Sequence, residues 1–323
     1  MPDQPLVSSP TALNRAGFKV GHATDLDYLT GCTVILCPPN TVGSVDVRGP
    51  APGSRETALL AADKPHHAVN AVLLTGGSAF GLAAADGVMG YLAERGIGHP
   101  TPIKPIPIVP TAVVFDLGFS RGDRHPDTDM GYAACLDAHD GTIRQGNVGV
   151  GAGVTVGKWA GFPYKMKGGF GIASMIIGEV VVGAMVVTNP VGDVLDVDNS
   201  VLAGARDEDG RWLAANHPLR FISQERMPLS GTNTTLAVVW TNARLSRPEV
   251  HRLAQRAHDG MAMAIRPIHT THDGDIAFAL ASGRVDAPFD LAANAGAEMV
   301  AEAIRSAVRF AASLPGAPGL FGV

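Results

Sequence analysis

Four short apolar runs rich in β-branched residues constrain this chain most: TVILCP (33–38), AVLLTG (71–76), TAVVFDL (111–117) and EVVVGAMVVT (179–188). Val, Ile and Thr are stiff at χ1 and pack well on a pleated surface, so segments of this length read as buried strands. None reaches the roughly 20 apolar residues that a membrane span needs, because Gly, Asn, Pro or Asp interrupts each candidate. The 39 Gly and 23 Pro supply turns between strands, and 46% hydrophobic against 17% charged residues is globular composition over 323 residues.

Helices are fewer. One is expected over 82–95, after the Gly-rich turn TGGSAFG and before Gly96, a C-terminal cap. A second opens at Ser246, which forms a capping box with Glu249; Pro248 lies in its first turn, and Val250, Leu253, Ala254, Ala257 and Met261 share one face. A third is expected over 288–314, with Met299, Ala303 and Phe310 at near-helical spacing. DIAFALASG (275–283) reads as a strand, so the chain from Thr234 onward runs strand, helix, strand, helix. No Pro/Ser/Gly-rich linker or charge run divides residues 1–323, which are read as one domain.

Net charge is −5 and the basic residues form no stripe, which argues against a nucleic-acid partner. Cys32, Cys37 and Cys135 are an odd set without zinc spacing, and MPDQPLVSSPTALNRAG lacks a signal-peptide pattern; the cytoplasm is the expected location, with no membrane association.

Several motifs invite chemistry and are better read otherwise. AGVTVGKW (152–159) departs from a phosphate-binding loop, with Ala152 at the first glycine and Trp159 at the Mg²⁺-binding hydroxyl position. TGGSAFG (75–81) places its second glycine three residues after Ser78 where a nucleophile elbow needs two, so a strand-to-helix turn is expected. HTTHDGD gathers His269, His272, Asp273 and Asp275, yet lacks a metalloprotease helix, and His66–His67 is too generic to supply a distant ligand. The charged run DRHPDTD (123–129) reads as a solvated loop. Neither a metal nor another cofactor is expected.

GTNTTLAVVW (231–240) places two adjacent threonines where a turn enters a strand. A hairpin turn accounts for that pattern. So does a self-cleavage site: a threonine hydroxyl attacks the preceding carbonyl, the amide becomes an ester, and water releases a new N-terminus. The freed α-amine, with a reference pKa of about 7.7–8.0, is then a built-in general base.

NTTLAVVWTNARLS followed by IHTTHDGD resembles the small-chain start of the DmpA/P1 family of self-processing peptidases (peptidase family S58), with the strongest likeness to its 6-aminohexanoate-oligomer (nylon oligomer) hydrolase branch. LLTGGSAFGL (73–82), GNVGVGAGVTVGK (146–158), MKGGFG (166–171) and VVTNPVGDVLD (186–196) extend the resemblance along most of the chain. It implies an α+β, four-layer αββα sandwich of the DmpA and ornithine acetyltransferase type, like that of N-terminal-nucleophile hydrolases. It also implies cleavage between Asn233 and Thr234, giving chains 1–233 and 234–323 that stay associated, and a homo-oligomer with a tetramer among the options.

Matched residue by residue, the family pattern implies Thr234 as nucleophile, with Thr235 its structural neighbour, and Lys158 beside the new amine. It implies Asn189 as oxyanion donor, and Asp273 and Asp275 as carboxylates bonded to the Thr234 hydroxyl or ammonium. The Asp pair sides with the threonine branch, since serine relatives carry Ser and Glu there. Phe115 departs from the pattern, standing where relatives tend to carry a tyrosine. The expected activity is hydrolysis of small peptides, amino-acid amides or 6-aminohexanoate oligomers through a threonyl acyl-enzyme. Acetyl transfer between N-acetylornithine and glutamate, or a binding protein without catalysis, are the alternatives.

Overall fold

The computed structural model describes residues 10–64, 68–120, 122–213 and 232–322; Gly231 of the GTNTT turn and the His66–His67 pair lie outside them. The chain opens with α1 (Pro10–Ala16), the hairpin strands β1 (Lys19–Asp25) and β2 (Thr30–Leu36), then β3 (Val42–Val47) and β4 (Ser54–Arg55). β5 (Ala71–Thr75) leads through a 3₁₀ turn at Ser78–Ala83 into α2 (Ala84–Glu94), and β6 (Thr111–Val113) precedes α3 (Leu117–Ser120) and α4 (Thr128–Asp137). Next come β7 (Thr155–Val156), β8 (Met166–Lys167), β9 (Gly169–Ile177), β10 (Val180–Thr188), β11 (Asp193–Leu195) and β12 (Val201–Ala203). β13 (Leu236–Ala243), α5 (Arg247–Ala264), β14 (Ile265–Arg266), β15 (Ile276–Val285) and α6 (Phe289–Arg309) complete it.

Two five-stranded sheets result, in the orders β1-β2-β5-β6-β4 and β3-β15-β13-β10-β9. The period of two along each strand decides which faces meet. On β13, Leu236, Val238 and Trp240 point between the sheets, where they join Phe170 and Ile172 of β9 and Val72 and Leu74 of β5. Ala237 and Val239 point the other way, onto Leu253 and Ala257 of α5 and Val300 and Ile304 of α6. Ala71 and Leu73 of β5 face Ala85 and Val88 of α2 and Ala134 and Cys135 of α4. The order is helix, sheet, sheet, helix: the αββα sandwich expected from the sequence. Each large apolar side chain buried between the sheets adds roughly 1.5–3 kcal/mol.

Local signals held where their partners are local. Glu249 accepts from the Ser246 amide at 2.7 Å, closing the capping box that starts α5. Gly96, past the end of α2, has φ +66°, a conformation that costs glycine little. Three expectations need correction. α6 ends at Arg309, short of 314, because the chain turns back to pair Ala312 with Phe321. TAVVFDL is a strand only to Val113, and its remainder runs into the site described below. DRHPDTD is more than a solvated loop: Asp127 accepts from the Met130 amide at 3.0 Å and caps α4.

Three strand ends converge at one place. β13 runs parallel to β15, in a register that pairs Leu236 with Ile276 and continues as a bridge between Asn233 and Asp273. On the other side of β13, β10 is antiparallel and pairs Val187 with Leu236, which brings Asn189 alongside Thr234. Among the described residues, no helix is long and apolar enough to cross a membrane.

Candidate active site

The Asn233–Thr234 peptide lies between these strand ends, with Asn233 fully buried and Thr234 5% exposed. The Thr234 hydroxyl donates to the carbonyl oxygen of Asn233 at 2.5 Å. The same oxygen accepts from the Gly274 amide at 2.8 Å, so the carbonyl is polarised by two donors while its own following hydroxyl is held against it. The Thr234 amide donates to Asn189 O at 2.9 Å. The Thr235 hydroxyl is buried without a hydrogen-bond partner among the described residues.

Asn189 follows β10 and is 1% exposed. Lys158 donates to its backbone oxygen at 3.0 Å and to its Oδ1 at 2.7 Å, and the Thr155 amide donates to the same Oδ1 at 3.1 Å. Two donors on Oδ1 fix the amide orientation. Nδ2 is therefore turned the other way, where its acceptor is Phe115 O at 3.3 Å, a long bond that a better acceptor would displace. Lys158 and the Thr234 nitrogen share one acceptor, Asn189 O, so the ammonium sits beside the atom expected to become the α-amine. Burial pulls Lys158 down to about 7, against the opposing pull of the Asp273 carboxylate.

Asp273 and Asp275 are both fully buried in this cluster. In the uncleaved chain, neither bonds Thr234 directly among the described residues. Asp273 accepts from the Val191 amide at 3.2 Å and from the Thr270 amide and hydroxyl at 2.9 and 2.5 Å. Burial, with Asp275 nearby, pushes its carboxyl up to about 6. Asp275 accepts from the Thr235 amide at 2.6 Å and from His269, at 3.2 Å through the amide and 2.7 Å through Nδ1. The Asp275 carboxylate thus ties the strand entry that carries Thr234 to the loop at His269, and the Asp273 carboxylate ties the same loop, at Thr270, to the chain beyond Asn189.

Sequence reasoning placed all five side chains in one cluster and missed the groups that complete it. The Gly274 and Thr155 amides and the Phe115 carbonyl are backbone, which no residue-type pattern reveals. His269 was read as a candidate metal ligand; its imidazole is spent on Asp275, and its φ of +55° turns the chain to reach it. Among the described residues no three His, Cys, Asp or Glu side chains gather as a metal-binding group. Ser78 does sit at the expected strand-to-helix turn, with φ +51° and its amide on Val114 O.

The model of peptidase family S58 matches residues 15–320, nearly the whole chain. The chain belongs to peptidase family S58. Relatives of this family member include an uncharacterised aminopeptidase of Mycobacterium leprae, 44% identical over 292 residues that cover 84% of this chain and 78% of the relative. A 6-aminohexanoate-oligomer endohydrolase of Agromyces sp. is 32% identical over 277 residues, covering 84% of this chain and 75% of the relative. Among solved structures, the L-aminopeptidase D-Ala-esterase/amidase of Ochrobactrum anthropi, described as a variant of the Ntn-hydrolase fold, superposes with a TM-score of 0.71 at 18% identity, covering 98% of this chain and 92% of that one. A Burkholderia sp. β-aminopeptidase superposes with a TM-score of 0.67 at 22% identity, covering 99% and 92%. This S58 member is an amide-bond hydrolase.

Proposed function

We propose that Thr234 is both the agent of self-cleavage and the nucleophile of the mature enzyme. The observation that carries this is its hydroxyl, held 2.5 Å from the carbonyl oxygen of Asn233 while the Gly274 amide polarises that oxygen. Attack of Oγ1 on the Asn233 carbonyl carbon places negative charge on an oxygen that already has a backbone donor. Collapse breaks the Asn233–Thr234 amide, the hydroxyl proton passes to the departing Thr234 nitrogen, and an ester joins the two residues. Water then releases the Asn233 carboxylate and frees the amine.

In the mature site the Thr234 amine takes the hydroxyl proton as Oγ1 attacks an amide substrate. The Lys158 ammonium on the shared acceptor disfavours protonation of that amine. Asn189 Nδ2 leaves the weak Phe115 contact to donate to the substrate oxyanion. The acyl-threonine is hydrolysed by water, with the amine now the activating base. Substrates are small peptides, amino-acid amides or 6-aminohexanoate oligomers. Chains 1–233 and 234–323 stay together because β13 and β15 are hydrogen-bonded between β3 and β10 in one sheet.

Intact mass spectrometry tests this directly. Wild type should convert from the 33.4 kDa chain to two co-eluting chains divided after Asn233, and Thr234→Ala should remain whole. Amidase activity should appear only with cleavage. A wild-type chain that stays intact and inactive on prolonged incubation refutes the proposal.

A further inference from the structure

Asn189 can serve an oxyanion only if its Nδ2 is aimed, and the aim is set by what holds Oδ1 at the other end of the amide. Lys158 and the Thr155 amide hold it. The Thr155 N–H belongs to the planar peptide that joins Val154 to Thr155. In a trans peptide the carbonyl points away from the N–H, and here the Val154 oxygen accepts from Lys167 Nζ at 3.0 Å and from the Gly168 amide at 2.9 Å. One rigid plane therefore meets Asn189 Oδ1 on one side and a lysine on the other.

Lys167 is 1% exposed and pairs with Thr155 across the small sheet of β7 and β8. An ammonium offers three protons and accepts nothing. All three go to backbone oxygens: Gly151 O at 2.8 Å, Gly168 O at 2.9 Å and Val154 O. Asp116, whose negative charge acts on Lys167, gives its own oxygens to the Thr30 hydroxyl and the Gly77 amide. Among the described residues, holding these carbonyls is the work left to the lysine. Burial pulls Lys167 down to about 7, a cost that an apolar side chain at this position would not carry. Its neighbour Gly168 is packed so closely on the end of β10 that an added Cβ would run into Thr188 O. The Lys167 contacts therefore join the 151–155 segment to the residue just before Asn189.

We infer that Lys167 is a positioning residue for catalysis: it fixes and polarises the Val154–Thr155 peptide, whose N–H holds Asn189 Oδ1 and so aims Nδ2 at the substrate oxyanion. A cation on the carbonyl strengthens the N–H of the same peptide as a donor. The inference rests on the oxyanion role given to Asn189 above and adds to it a residue from outside the cluster.

The test is a double-mutant cycle on cleaved protein, read with a p-nitroanilide and normalised to free Thr234 N-termini. Lys167→Met keeps the length of the side chain without its charge or donors. It should lower kcat by about tenfold at nearly unchanged KM, short of the roughly 10²–10³-fold that losing an oxyanion donor outright costs. In an Asn189→Asp background the same substitution should lower kcat by less than about twofold, because the donor it aims is already gone. Equal factors in the two backgrounds, or wild-type turnover in Lys167→Met, overturn the inference. If Lys167→Met does not fold, Lys167→Gln, which keeps two N–H donors, takes its place in the cycle; failure of both to fold while Asn189→Asp folds makes the lysine purely structural and overturns the inference as well. Amide exchange supplies a readout without catalysis. In uncleaved Thr234→Ala protein, Lys167→Met should speed exchange of the Thr155 amide by about tenfold or more while the amides of β13 keep their rates. Unchanged exchange at Thr155 overturns the inference. Faster exchange there in a protein whose wild type hydrolyses no amide would fail the hydrolase reading and leave the clamp on Asn189 standing.

Discussion

Asn189 allows the oxyanion role to be separated from a structural one. Asn189→Ala removes Nδ2, and with it the Oδ1 that accepts from Lys158 at 2.7 Å and from the Thr155 amide at 3.1 Å. The Thr155 amide is then buried without an acceptor, at a cost of about 1–3 kcal/mol, and Lys158 keeps only the backbone oxygen of residue 189, so alanine mixes catalysis with stability. Asn189→Asp keeps an acceptor for both donors, deletes the N–H that now reaches Phe115 O, and adds a buried negative charge that the neighbouring Lys158 offsets. Loss of a single oxyanion donor costs about 10²–10³-fold in kcat, or roughly 2.7–4 kcal/mol. The aspartate variant should show that loss at near-normal melting temperature, measured with a p-nitroanilide on cleaved protein and normalised to free Thr234 N-termini. Self-cleavage should suffer less, because the oxygen that becomes charged there, Asn233 O, is served by the Gly274 amide and not by Asn189. Turnover of Asn189→Asp within about threefold of wild type, or self-cleavage lost in parallel with turnover, would refute the assignment.

Other perturbations have equally definite outcomes. His269→Ala should slow self-cleavage by loosening Asp275, whereas His269→Asn, which keeps a donor and tolerates φ +55°, should recover most of the rate; equal rates by time-resolved intact mass would show that the contact is idle. Thr235→Val should cleave normally and be neutral to slightly stabilising, since it deletes a buried hydroxyl without a hydrogen-bond partner; loss of cleavage would give Thr235 the chemistry. Burial pushes Asp193 up to about 7, although Trp159 Nε1 and the Ala205 amide both donate to its Oδ1 at 2.8 Å. Its folded pKa lies above the unfolded one, so its stabilising contribution is complete below about pH 4 and is lost as pH rises through 7. Asp193→Asn keeps the acceptor without the charge: it should be more stable than wild type at pH 8, by at most about 4 kcal/mol, and the difference should shrink towards pH 5. Urea unfolding at both pH values measures it, and a gap that does not narrow on acidification would count against the burial argument.

The strands and helices that were legible are those whose signals are local. The β-branched runs at 71–76 and 179–188 formed β5 and β10, and the Ser246–Glu249 box started α5. α4 was not anticipated, because its cap, Asp127, lies inside a charged run whose composition outweighed one side-chain bond. The end of α6 was misplaced because the stop comes from a return of the chain to residue 312, a contact no helical period encodes.

The site divides the same way. Residue types and the order of motifs named Lys158, Asn189, Thr234, Asp273 and Asp275, and the structure brings these side chains together. Only the tertiary structure decided what each one touches. The Asp pair, expected at the Thr234 hydroxyl or ammonium, secures the Thr235 amide, Val191 and the 269–270 loop in the uncleaved chain, and Lys158 meets the Thr234 nitrogen through a shared carbonyl. The physical reason is that these bonds run largely to backbone atoms brought together by sheet register. Every residue carries the same N–H and C=O, so a sequence names the side chains and leaves their partners to the pairing of β10, β13 and β15.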